Sequence, residues 1–196
     1  MILSNREIHA ALDSGRLIIE PEPTPRFPEN GKDCPYQTTA VDLRLGSEIR
    51  IPKDKRPFSI DLTSGQFASL VTPENYDAET LEGEQPFELR PQTFILAKTL
   101  ERVSLPIGKR AGTSLAARIE GRSSYARSGM LVHFTAPTIH AGFSGTITLE
   151  IINLGKASIL LKAGARICQL IVEEVKGVPF RNDSQFQGQR TAGGRK

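Results

Sequence analysis

The chain has two cysteines, three histidines and no tryptophan in 196 residues, and each shortage excludes something. Cys34 and Cys168 stand far apart, so the cysteine-dense framework of a small secreted domain is ruled out. There is no Cys-x-x-Cys pair and no His-x-Glu run, and His9, His133 and His140 are scattered. These spacings do not make a zinc site. No apolar run approaches the ~18 residues that a membrane-crossing helix needs. The first residues show no basic segment leading into an apolar one, as a secretory leader would. The expectation is a reduced, cytoplasmic chain with no membrane partner. A strong excess of one charge is also missing. A net charge of +3 is too mild for the dense basic face of a nucleic-acid polymer binder, though it is compatible with a local positive pocket for a small polyanion.

What is present reads as one ordinary globular domain, since 38% hydrophobic and 24% charged residues over this length suffice for a real core. Ser4 and Glu7 have capping-box spacing, Ile8, Ala11 and Leu12 form a helical stripe, and Gly15 is a stop, so one short N-terminal helix is expected. Five prolines between 18 and 36 make that stretch loop-like. Residues 41–45 alternate as a strand that Gly46 should end, and 49–51 can pair with it. Residues 53–56 read as a charged turn. Between 58 and 89 the pattern is weak, with short strands possible at 59–62 and 87–89. Clearer strands follow at 94–100, 103–106, 111–119, 130–134, 146–153, 158–161 and 166–173. Many short strands divided by Gly and Pro turns predict an all-β sandwich or barrel. From Gly177 onward the chain is polar and glycine-rich, as a mobile tail is.

The most informative stretch is 121–153, GRSSYARSGMLVHFTAPTIHAGFSGTITLEIIN. Its last part alternates, with Ile147, Leu149 and Ile151 on one face and Thr146, Thr148, Glu150 and Ile152 on the other. Pattern alone reads Glu150 as a solvated glutamate on an outer sheet face.

Several separated motifs change that reading. GRSSYAR at 121–127, VHFTA at 132–136, TLEIIN at 148–153, the opening MILSNREIHAALDSGRL and QFQGQ at 185–189 occur in one order. With them the chain resembles the dCTP deaminase family of the trimeric dUTPase-like superfamily over nearly its whole length. The resemblance implies a mainly all-β, distorted jelly-roll β-barrel over residues 1–176, with a short N-terminal helix. Residues 177–196 would be a tail closing over the nucleotide. It also implies a homotrimer with shared active sites. The implied reaction is hydrolytic deamination of dCTP to dUTP and ammonia without zinc, which agrees with the missing His and Cys ligand pattern.

The resemblance also distributes roles. Glu150 would be the general base and then the acid, with Arg127 holding it. Ser123 and the backbone at Ala136 would contact the attacking water. Arg122, Ser123, Ser124, Tyr125, Ala126 and Arg127, together with His140, Thr148, Leu149 and Glu150, would bind substrate. The GRSS turn would receive phosphates and Gln189 would complete closure. Phe143 would lie against the deoxyribose and exclude a 2′-hydroxyl. Taken singly, Ser123 is a turn residue, Arg127 a surface ion-pair partner, Ala136 a packing residue and Phe143 a core ring. Magnesium would accompany the triphosphate, and dTTP would inhibit by feedback.

Two stretches depart from the family pattern. Gln185-Phe186 stands where Lys-Tyr is frequent. His140 follows Ile139 where dUTPases and the bifunctional enzymes carry an aspartate that activates water against phosphorus. A neutral imidazole lacks that charge, so the expectation is dUTP with little or no diphosphohydrolase activity. The alternatives are a bifunctional enzyme releasing dUMP, or a non-catalytic nucleotide-binding β-trimer.

Overall fold

The computed structural model describes residues 1–53, 63, 71–83, 85–182 and 188–192. The expected strand at 59–62, most of the charged turn at 53–56, and Gln185 and Phe186 lie outside them.

The chain begins with helix α1, Asn5–Asp13, where the Ser4 side chain accepts from the Glu7 amide at 3.4 Å and Ser14 is the C-cap. Its inner face seats Ile8 and Ala11 in the core. The strands follow as β1 Ile18–Glu20, β2 Tyr36–Gln37, β3 Ala40–Pro52, β4 Tyr76–Thr80, β5 Phe87–Leu89, β6 Phe94–Ser104 and β7 Leu115–Gly121. One helical turn, α2 Ser123–Ala126, precedes β8 Met130–Val132, β9 Thr138–Ile139, β10 Ser144–Asn153, β11 Ile159–Leu161 and β12 Arg166–Glu174.

All the pairings between these strands are antiparallel, and the main sheet runs β8-β10-β6-β3-β12-β7-β9, with β1, β2 and β4 attached beside it and β5 paired with β11. The sheet curls around one apolar cluster that includes Leu43, Ile95, Leu149 and Leu170, each fully buried. This is the mainly β, jelly-roll-like architecture that the strand pattern and the resemblance predict. Among the described residues no helix is long and apolar enough to cross a membrane.

Strand boundaries differ from expectation where partners outweigh local signals. Gly46 does not end β3, which continues through it to Pro52. A Cβ at Gly46 would meet the Lys98 carbonyl at 3.0 Å and that of Thr99 at 3.2 Å, so glycine here permits close approach to β6. The proline-rich stretch is not all loop, because Ile18–Glu20 pairs with the end of β6. Residues 94–106 form one strand to Ser104 rather than two. The strand expected from 111 starts at Leu115, after a turn in which Thr113 Oγ1 donates to the Arg110 carbonyl at 2.6 Å.

Candidate active site

The site is built on β10. Burial alternates residue by residue along it, so Thr146, Thr148, Glu150 and Ile152 share the outer face, as the pattern predicts. The pairing with β6 breaks between Thr146 and Thr148, where residues 98–102 of β6 stand against three residues of β10. The irregularity is held from within. Thr99 Oγ1 donates to the Glu101 carbonyl at 2.7 Å and accepts from the Ile147 amide at 2.9 Å. The buried Glu101 carboxylate takes the Arg44 amide at 2.8 Å and its Nε at 2.6 Å. Such bulges re-aim the side chains beside them, here Thr148 and Glu150.

Glu150 is half-buried, and its carboxylate lies 2.5 Å from His133 Nδ1, whose side chain is almost fully buried. The His133 amide also donates to the Glu150 carbonyl at 2.9 Å. On its other side the imidazole Nε2 lies 2.8 Å from the Ala136 carbonyl. One ring therefore joins two of the groups that the resemblance assigns to the attacking water. His133 holds a positive φ of 71°, a conformation that costs a non-glycine residue energy and concentrates at functional sites. Phe134 stacks on Phe94 with centroids 5.9 Å apart and pins the turn. Burial is the largest single influence on the imidazole and opposes its charge. The hydrogen bond and negative charge of Glu150 outweigh it, with the Ala136 carbonyl and Glu120 adding, so the His133 pKa is raised above its ordinary value.

His133 is the residue that sequence reasoning left without a role, although it is the one titratable group in VHFTA. Within this chain, and among the described residues, Glu150 takes His133 rather than Arg127 as its ion-pair partner. Ser123, Ser124, Ala126 and Arg127 are exposed, and Tyr125 packs partly against the core. Residues 123–126 of the expected turn form a single helical turn. Arg122 precedes that turn and reaches inward, with Nη1 3.3 Å from Asp42 Oδ2 and its guanidinium 5.7 Å from the Tyr125 ring centre.

The rest of the assigned set divides by face. Leu149 is wholly buried in the core, so its side chain does not line the site. Thr148 is half-buried, and its Oγ1 is sequestered from solvent with no hydrogen-bond partner among the described residues. An orphan hydroxyl one step along the face from Glu150 suits a polar ligand. Gln189 is brought onto the same strand. Its Nε2 donates to the Thr146 carbonyl at 2.7 Å, its own carbonyl accepts the Thr146 amide at 3.1 Å, and the Gly188 amide reaches the Ser144 carbonyl at 2.9 Å. Phe143 is half-buried against the core, and His140 is exposed. Beside that loop lies a cavity of about 350 Å³ lined by Pro106, Ile107, Ala141, Gly142, Arg181 and Asn182.

Fold and site together define a mainly β protein with a carboxylate–imidazole pair mounted on a rigid strand beside a docked C-terminal segment. A family model described as dCTP deaminase-like matches residues 2–175. A "dCTP deaminase, dUMP-forming" of Methanosphaera stadtmanae is 36% identical over 195 residues, covering 96% of this chain and 89% of that protein. One of Rhodococcus erythropolis with the same name is 38% identical over 198 residues, covering 97% and 93%. The solved 2′-deoxycytidine 5′-triphosphate deaminase of Agrobacterium tumefaciens superposes with a TM-score of 0.58 at 20% identity, over 91% of this chain and 48% of that one; at that identity the likeness is one of fold. The chain belongs to the dCTP deaminase-like family, whose members are hydrolases acting on the cytosine amino group.

Proposed function

We propose that the protein hydrolyses dCTP to deoxyuridine nucleotide and ammonia and carries the product on to dUMP. The Glu150 carboxylate, fixed on β10 with His133 and the Ala136 carbonyl around it, is the observation that supports the first step. Glu150 takes a proton from water as the oxygen bonds to C4, then delivers a proton to the departing amine. dCTP and water give dUTP and ammonia. Ser123 and the Ala136 carbonyl orient the water, and Arg127 sustains the charge of Glu150. Arg122, Ser124 and Gln189 receive the triphosphate. Tyr125, Ala126, Thr148 and Leu149 complete the substrate's surroundings, Leu149 through its backbone. Phe143 sets the deoxyribose wall.

The second step adds water to dUTP and releases pyrophosphate and dUMP. Its support is the shared name of the relatives at 36–38% identity over nearly the whole chain. One observation favours a reaction that stops at dUTP: His140 stands where the resemblance places the carboxylate for the phosphorus chemistry.

Among the described residues no three His, Cys, Asp or Glu side chains gather as metal ligands do. Magnesium accompanies the substrate on its phosphate oxygens, and the deamination is read as running without zinc. The working unit is a homotrimer with shared sites, and dTTP competes at the same nucleotide site. Product analysis with dCTP and magnesium decides between the readings. Ammonia with dUMP and pyrophosphate supports the bifunctional enzyme. Ammonia with dUTP alone supports the shorter reaction, and His140→Asp then tests whether a carboxylate restores dUMP formation. Turnover unchanged by a zinc-selective chelator supports chemistry without that metal. Binding of dCTP without turnover overturns both readings.

A further inference from the structure

Asp42 is a charged side chain in the interior for which the chemistry above has no use. It sits on β3, and its carboxylate is fully shielded from solvent. Two amide donors and two guanidinium groups surround it. Gln169 Nε2 donates to Oδ1 at 2.9 Å and Gln37 Nε2 to Oδ2 at 3.3 Å. Arg122 Nη1 is 3.3 Å from Oδ2, and Arg166 Nη1 is 3.7 Å from it. The sheet register makes this possible. Gln169 on β12 is paired with Asp42 on β3 and, on its other side, with Glu120 on β7. Arg122 follows Glu120 by two positions, just past the end of β7, so its long side chain reaches back across β12 to the carboxylate.

A buried carboxylate is a poor source of stability, because desolvation offsets most of the attraction to its partners. Its position suggests a different use. Arg122 is the N-cap of α2 with extended backbone (φ −79°, ψ 132°), and its side chain makes no cap hydrogen bond. Its carbonyl accepts the Tyr125 and Ala126 amides at 2.9 and 3.0 Å, which fixes the backbone. The guanidinium is placed separately, by the ion pair of its Nη1 with Asp42 and by the Tyr125 ring beside it. Arg166 has a closer carboxylate of its own, Asp33 at 2.6 Å, so the charge of Asp42 falls mainly to Arg122. A guanidinium carries five N–H donors in a rigid fork, and holding one edge aims the rest. A free arginine would have to surrender rotamer freedom when phosphate arrives, whereas a held one has already done so.

We infer that Asp42 is a positioning residue for substrate: through Arg122 it orients the guanidinium that receives the triphosphate, with Gln169 orienting Asp42 in turn. The inference rests on the reading of Arg122 as a triphosphate ligand.

The test is steady-state kinetics of Asp42→Asn, Arg122→Ala and the double variant on dCTP with magnesium, alongside thermal melts. Asp42→Asn keeps the shape and removes the charge. Its KM for dCTP should rise roughly tenfold while kcat falls less than twofold, the split expected when binding geometry alone is lost. In the Arg122→Ala background the same substitution should change KM no further. A KM for Asp42→Asn equal to wild type, or the same factor appearing on top of Arg122→Ala, overturns the inference while leaving Arg122 as a ligand. A KM for Arg122→Ala equal to wild type removes the underlying reading, and the inference with it. If Asp42→Asn does not fold, Gln169→Leu takes its place, leaving the charge but freeing the carboxylate to turn. A smaller rise in KM, absent in the Arg122→Ala background, is then expected, and an unchanged KM overturns the inference.

Discussion

Glu150 is held close to an imidazole that is itself nearly buried, so its chemistry depends on the charge of His133. Glu150→Gln keeps the side chain's shape but carries no charge and cannot take a proton. Binding of dCTP should persist while turnover falls by roughly 10²–10⁴-fold; rapid-quench assays and equilibrium binding measure the two separately, and near-normal turnover removes Glu150 from its role. The His133 pKa is raised in the folded protein from an ordinary value near 6.5. The sign follows. The pair's contribution to stability is complete below that ordinary value and is lost as pH rises through the raised one. The Tm difference between wild type and Glu150→Gln should therefore be largest near about pH 6 and shrink toward about pH 9. The His133 ring proton should titrate above 6.5 in wild type and lower in Glu150→Gln, where burial acts without its counterweight. Equal midpoints would dismiss the pairing. The outer-face position of Glu150 was legible from alternation alone. Its partner was not, because His133 lies seventeen positions earlier in sequence and arrives through a left-handed backbone turn that no periodicity encodes. Asp42 and Arg122 are eighty positions apart and meet only because β12 lies between β3 and β7.

At the scale of elements, β10 serves three neighbours. It pairs with β6 along most of its length and with β8 through Ile151–Asn153, and near Ser144 and Thr146 it receives residues 188 and 189. Gly145 makes that last contact possible, since a Cβ there would lie 2.8 Å from the Gln189 carbonyl oxygen and 3.1 Å from its amide nitrogen. Gly145→Val should push the C-terminal segment off β10 and raise KM for dCTP several-fold. Truncation before Gly188 should do the same, and the two should not add. An additive loss would mean that Gly145→Val damages β10 rather than docking. The strongly alternating strands were readable from sequence because one face of each is apolar. The continuation of β3 through Gly46 was not, since the neighbour's carbonyls decide it, and neither was β1, which forms within a proline-rich stretch by pairing with β6.

At the scale of the molecule, the arrangement of subunits decides which chain supplies each catalytic group. Ser123 and Arg127 are exposed on a short turn, while Glu150 in the same chain is paired with His133. The proposed trimer with shared sites would resolve this by bringing the GRSSYAR turn of one subunit to the β10 face of the next. Two inactive proteins then repair one another. Glu150→Gln retains a normal turn, and Ser123→Ala retains a normal β10. Unfolded together, refolded and reassembled at equal amounts, they form mixed trimers in which a whole site needs the turn from one parent and the strand from the other. Random assembly gives about a quarter of the sites that combination, so about a quarter of wild-type turnover should appear from two preparations that have almost none. Light scattering should give a mass near three times the 21.5 kDa chain. Recovery at that level would place Ser123 and Glu150 of one site on different subunits. A trimer without recovery would put both on one chain, and the pairing of Glu150 with His133 would then have to open within that chain for Arg127 to approach.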